Sequence, residues 1–283
     1  MLDGFTEGHA AVNGTRLHYV RGGTGRPLVL MEGWPRTWYA LRHIMPELAR
    51  HFTVIAVEYR GQGQSDKPVD GYDKKNMARD VYELIRQLGY DQVDLAGADI
   101  GGGVAYSFAA QFPEATRKLV MWEGTPFSPE FNLSVPLFTP PGTPNFFYYP
   151  MFFAENDMAV ALLAGNGRRL IDLAISNLAL RPENIGEEAR QIYADAYNTP
   201  EAIRATMGIF QNFFQDTADN DSYAPLEAPV LAIAGGQNTD LMKRSFKGRA
   251  RDTQYVTIPD SGHYIAEENP QALLAEILPF LTA

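Results

Sequence analysis

The stretch Val93-Asp94-Leu95-Ala96-Gly97-Ala98-Asp99-Ile100-Gly101-Gly102-Gly103 limits the fold more tightly than any other part of the chain. Val93 to Ala98 reads as a strand with both faces covered, and a helical pattern starts at Gly102, so strand must pass to helix through one tight turn centred on Asp99. Small residues, Gly97 and Gly101, stand two positions before and after Asp99, where neighbouring backbone passes too close for a side chain. The same alternation fills the first half of the chain. Strands are expected at Val29 to Glu32, Thr53 to Val57, Val93 to Ala98 and Leu119 to Glu123, with helices at Trp38 to Ala49, Asn76 to Leu88 and Gly102 to Gln111. Continuous apolar strands between helices predict a mostly parallel central sheet flanked by helices.

That pattern stops at Pro126. Pro126, Pro129, Pro136, Pro140, Pro141 and Pro144 forbid regular structure, and Phe146 to Asp221 reads as helices without strands. From Pro225 the alternation resumes, with strands at Val230 to Ala234 and Tyr255 to Ile258 and helices at Leu241 to Ala250 and Pro270 to Leu281. The expected organisation is an α/β core over 1–125 and 223–283, with a linker and inserted helical cap over 126–222.

Composition removes several classes of function. With 45% hydrophobic and 20% charged residues the 283-residue chain can bury a sizeable core, and a formal charge of −10 opposes binding to nucleic acid or to an anionic membrane. The absence of cysteine excludes thiolate nucleophiles, cysteine-ligated metal and disulfides, and it fits a reducing cytoplasm, the expected location. No basic and apolar leader pattern opens the sequence. Metal-binding histidine spacings and the Gly-x-Gly-x-x-Gly dinucleotide fingerprint are missing, so no metal and no cofactor is expected. A homodimer is left open.

The spacing around Asp99 is that of a nucleophile elbow carrying a carboxylate in place of serine; Gly-x-Ser-x-Gly occurs nowhere. A carboxylate can attack an sp3 carbon, displacing an epoxide oxygen or a halide, to form an ester that water then hydrolyses. The competing reading is a plain helix cap or anion-binding turn. Ester hydrolysis needs a base, and His263 lies in Pro259-Asp260-Ser261-Gly262-His263-Tyr264, between the last strand and the last helix, where α/β sheets keep their sites. His9, His18, His43 and His51 have no comparable placement. The base needs a carboxylate to fix its tautomer. Glu123, at the end of the strand before the cap, is the first candidate, with Asp240 in reserve; Asn238 is an amide and cannot hold the charge.

At these residues the chain resembles the α/β-hydrolase superfamily, in its Asp-nucleophile branch of epoxide hydrolases and haloalkane dehalogenases, and most nearly the Cif-like epoxide hydrolases. The resemblance covers most of the chain and runs through Glu32-Gly33-Trp34-Pro35, Gly61-Gln62-Gly63-Gln64-Ser65, Asp99-Ile100-Gly101, Phe152-Phe153-Ala154 and the His263 loop. It implies Asp99 as nucleophile, His263 as base and Glu123 as its partner, with the main-chain N–H groups of Trp34 and Ile100 as oxyanion hole. Haloalkane dehalogenases place Trp after the nucleophile; Ile100 here disfavours halide release. Gly102, Gly103 and Val104 stand where fluoroacetate-type enzymes have arginines. Tyr149 stands where the Cif-like proteins have a donor histidine, and the second donor position falls near Phe210, which cannot donate. Tyr149 or Tyr148 must then protonate the leaving oxygen, with Tyr193 and Tyr197 in reserve.

Glu32 replaces the histidine that usually precedes Gly-x-Pro. It is either an acid close to Asp99, each carboxylate raising the other's pKa, or a buried partner of an arginine such as Arg36 or Arg60. Tyr148, Phe153 and Phe210 are expected to line a site for a small apolar organic substrate, among the aromatics Phe146, Phe147, Phe152, Phe213 and Phe214. The first expectation is an epoxide hydrolase giving a vicinal diol. The alternatives are a cyclase, lyase or isomerase of natural-product biosynthesis using Glu32, Asp99 and His263 as acids and bases, a dehalogenase, and a binding protein with a dead site.

Overall fold

The computed structural model describes residues 2–129, 131, 148–153, 157–236 and 238–283. Their sheet contains β1 (Phe5–Val12), β2 (Thr15–Gly22), β3 (Arg26–Met31), β4 (Phe52–Glu58), β5 (Val93–Ala98), β6 (Thr116–Trp122), β7 (Val230–Gly235) and β8 (Thr253–Ile258), in the order β1-β2-β4-β3-β5-β6-β7-β8. Strands β3 to β8 pair in parallel, and β2 alone runs against its neighbours. Winding reverses at β3: β4 adds to one side of it and β5 to the other. The crevice of an open α/β sheet lies at such a switch point, outside the carboxyl ends of the strands. Here those ends deliver Glu32 to Trp34 and Asp99.

Alternation along the strands sends side chains into two separate cores. Val29, Met31, Val57, Leu95, Leu119 and Met121 belong to one, and Leu28, Leu30, Val54, Ala96, Val120, Trp122 and Ile233 to the other. The flanking helices are α1 (Met45–Leu48), α2 (Lys74–Gln87), α3 (Asp99–Gln111), α10 (Thr239–Phe246), α11 (Ile265–Glu268) and α12 (Pro270–Thr282). Between β6 and β7 the chain inserts α4 (Tyr148–Phe153), α5 (Met158–Leu163), α6 (Gly167–Leu178), α7 (Glu187–Ala196), α8 (Pro200–Gln211) and α9 (Phe213–Ser222). Pro136, Pro140, Pro141, Pro144, Phe146 and Phe147 lie outside the described residues.

Several local expectations change. The helix expected over Trp38 to Ala49 is a 3-10 turn, Trp38–Leu41, followed by α1, because Thr37 caps the first piece and Pro46 starts the second. The helix expected from Leu241 to Ala250 ends at Phe246, before Gly248 turns left-handed at φ 75°. The hairpin β1–β2 was not among the expected strands. Its two-residue turn is Asn13-Gly14, with φ of 40° and 75°, the pairing that suits the twist of a hairpin.

Candidate active site

Asp99 sits where β5 becomes α3, in a left-handed conformation at φ 46° that a side chain adopts only when its surroundings impose it. Those surroundings are backbone. A Cβ on Gly97 would lie 2.5 Å from Gly101 O, and one on Gly101 would lie 2.5 Å from Met31 O. Gly33 meets the carboxylate itself, since a Cβ there would lie 2.5 Å from Asp99 Oδ2. The backbone of the Glu32–Pro35 loop therefore presses against Asp99. Trp34 N–H donates to Asp99 Oδ2 at 2.9 Å. Ile100 is buried in the first turn of α3, where main-chain N–H groups have no partner within the helix.

Glu123 follows β6 and is also left-handed, at φ 48°. Its carboxylate is fully enclosed by donors: Oε1 accepts from Gly235 N–H at 2.7 Å, and Oε2 accepts from Asn238 Nδ2 at 2.7 Å and meets His263 Nδ1 at 3.0 Å. Asp240, the reserve, is exposed in the first turn of α10. Asn238, dismissed in sequence as an amide that cannot carry charge, has a different part, because its N–H orients the acid that does. A donor beside a strand end is the signal that could have found it. Burial works against a charged imidazole, but the bond to Glu123 and the charges of Asp99 and Glu123 outweigh it, so the pKa of His263 is raised above its ordinary 6.5. Burial raises the pKa of Tyr59 and Tyr197, and the charge of Asp99, which also acts on His263, adds to the rise at both.

Glu32 is buried with its Oε1 2.5 Å from Arg36 Nη2 and accepting the N–H of Gly33 at 3.0 Å. Burial raises its pKa, and Arg36 and the Gly33 N–H oppose the rise. The guanidinium carbon of Arg36 lies over the Tyr264 ring, 4.0 Å from its centre. This is the arginine-paired arrangement, with Arg36 as the partner. Arg60 instead holds Asp80. The main-chain O of Arg36 accepts Tyr197 OH at 3.1 Å and Gln62 Nε2 at 2.9 Å, and Gln62 Nε2 also donates to Glu32 O at 3.2 Å, so the Glu32–Arg36 loop is tied down at both ends.

The inserted helices reach the same loop. Trp34 Nε1 donates to Thr206 Oγ1 at 3.1 Å, and its ring packs edge-to-face with Phe152, Tyr197 and Phe210. Phe153 packs against Phe213 and Phe214, and Phe214 faces solvent at 67% exposure, so it encloses no site. Tyr193 donates to Glu267 and not toward Asp99. Tyr148 and Tyr149 belong to α4, but their side chains lie outside the described residues. Among the described residues no group of three or more histidines and acids could hold a metal ion, and no helix is long and apolar enough to cross a membrane. His18 is a buried partner of Glu58, at 2.9 Å.

The model of the α/β hydrolase fold matches residues 26–270. The soluble epoxide hydrolase of Corynebacterium sp. (strain C12) is 32% identical over 279 residues, spanning 97% of this chain and 96% of that one. The chain belongs to the α/β-hydrolase family. It is a hydrolase, and relatives named epoxide hydrolase support that activity in general. Cfl2 from Burkholderia cenocepacia is 31% identical, with a TM-score of 0.88 over 98% of this chain and 96% of that one. The Cif epoxide hydrolase from Acinetobacter nosocomialis is 22% identical, with a TM-score of 0.91 over 99% of this chain and 90% of that one, a likeness of fold. This hydrolase thus falls in the branch to which its motifs pointed.

Proposed function

We propose that this hydrolase opens a small apolar epoxide to a vicinal diol through an ester on Asp99. The observation that carries the reading is a carboxylate, where serine hydrolases keep their hydroxyl, with one oxygen held by a main-chain donor and a Glu123–His263 pair within electrostatic reach. Because Trp34 N–H holds Oδ2, Oδ1 is the oxygen that attacks. Its lone pair forms a bond to a ring carbon, the C–O bond of the ring breaks, and the freed oxygen takes a proton from Tyr149. Tyr197 OH is committed to Arg36 O, which makes it a support of the loop.

Water then gives a proton to His263 Nε2 while its oxygen attacks Cγ of the ester. Charge gathers on Oδ2, where Trp34 N–H, joined by that of Ile100, stabilises it. Collapse releases the former Oδ1 with the diol, that oxygen taking the proton from His263 Nε2; Asp99 keeps the oxygen of water, whose second proton restores Tyr149. Glu123 holds the imidazole in the tautomer with hydrogen on Nδ1 and stabilises its cation. Glu32 positions: its carboxylate fixes the Gly33 N–H and Arg36, and so the Trp34 donor. The 126–222 segment acts as the cap, with Phe210 and Phe152 beside Trp34 as the apolar lining.

The test is intact-protein mass spectrometry of His263→Ala incubated with styrene oxide. The expected result is a stable mass increase of one epoxide on the peptide bearing Asp99. Epoxide consumption with no adduct contradicts the reading.

A further inference from the structure

A fourth carboxylate grips the loop that carries His263. Glu268, the last residue of α11, is 2% exposed, and its oxygens accept four main-chain N–H groups. Oε2 accepts from Leu180 at 2.7 Å, Arg181 at 2.8 Å and Gly262 at 3.0 Å, and Oε1 accepts from Tyr264 at 2.9 Å. Gly262 and Tyr264 flank His263; Leu180 and Arg181 belong to the connection after α6, within the inserted helices. The N–H of His263 itself donates to Leu178 O at 2.9 Å. No side chain separates the two segments, since a Cβ on Gly262 would lie 2.5 Å from both Leu178 O and Leu180 N. Asn184 Nδ2 closes the arrangement on Glu268 O at 2.8 Å.

We propose that Glu268 is a positioning residue, joining the inserted helices to the base loop and so setting the His263 imidazole against Glu123 and Asp99. The inference rests on the reading of His263 as the base that hydrolyses the Asp99 ester. Charge-assisted bonds to one ionised acceptor are the strong kind, and here they fix the residues on both sides of His263 at once. A neutral amide cannot replace this acceptor, because its NH2 end would face an N–H donor. The base acts only in the second half of the reaction. Loosening it therefore slows ester hydrolysis and spares ester formation, a split that a general loss of structure does not give.

Two variants test this with styrene oxide in rapid-quench mass spectrometry. Glu268→Gln removes the charge and turns one acceptor oxygen into an NH2 donor. Leu180→Pro removes one donor at a position whose side chain is exposed, and the preceding Ala179 is already extended at ψ 137°, as a residue before proline must be. In Glu268→Gln the Asp99 adduct is expected to form at close to the unmodified rate and to decay at least ~10-fold more slowly, since small misplacements of a reacting group cost up to about 100-fold. Leu180→Pro is expected to show the same split, smaller. In ligand-free protein the downfield Nδ1 proton resonance of His263 is expected to weaken in both. Unchanged adduct decay in folded Glu268→Gln overturns the inference; should that variant not fold, unchanged decay in Leu180→Pro does so. If His263→Ala itself traps no adduct, the Asp99 reading fails, and the His263 resonance alone decides the role of Glu268: unchanged, it overturns it.

Discussion

Asp99 and Glu123 are both held at positive φ, at the ends of neighbouring strands, and Gly124 touches the Asp99 backbone, so each strained turn props the other. The glycines that make this contact have no room for a methyl group. Gly101→Ala would set a Cβ 2.5 Å from a main-chain oxygen that cannot swing aside. The expected outcome is a loss of stability of about 1–3 kcal/mol in denaturant melts, the usual cost of overpacking, together with loss of activity. His263 gives a pH signature of its own. Its pKa in the folded protein is raised, so the stabilisation from its bond to Glu123 is full below the unfolded value of 6.5 and fades as pH rises through the folded value. As the proposed base, it works only when neutral. Activity is therefore expected to rise over the interval in which Tm falls, and His263→Gln is expected to flatten both profiles, as pH–rate curves and thermal melts would show.

At the scale of elements, the inserted helices are fastened to the core by buried charge as well as by rings. Lys74, at the start of α2, lies 2.9 Å from Asp216 of α9, donates to Ile209 O at 2.8 Å, and has its Nζ 5.1 and 5.0 Å from the ring centres of Phe127 and Phe213. Burial raises the pKa of Asp216, and Lys74 opposes the rise. Lys74→Met strands that carboxylate, and breaking such a pair costs about 3–5 kcal/mol, measurable as a lower unfolding midpoint; the double variant with Asp216→Leu is expected to recover much of it. Elements of this kind differ in how plainly the sequence shows them. β5 and β6 are legible because both faces are buried over the short apolar runs Leu95 to Ala98 and Leu119 to Trp122. The β1–β2 hairpin alternates buried and exposed residues and has a weak apolar signal, so only its Asn-Gly turn gives it away. The helix over Trp38 to Ala49 looks continuous until Pro46 and the Thr37 cap are weighed. The places of Asp99 and His263 at strand ends are legible from chain order, whereas the hydrogen bonds of Asn238 and Glu268 join segments far apart in sequence, which no local pattern records.

At the scale of the whole molecule, one sheet brings together residues 99, 123 and 263 by placing β5, β6, β7 and β8 side by side, so that their carboxyl ends open on one edge. The reversal of winding at β3 adds the Trp34 loop from the other side. A carboxylate in that position makes a claim about where oxygen travels, and a single turnover in 18O-labelled water with enzyme in excess over styrene oxide reads it out. The account expects an unlabelled diol, with the heavy oxygen in the peptide carrying Asp99. A labelled diol formed while Asp99 stays unlabelled would contradict it.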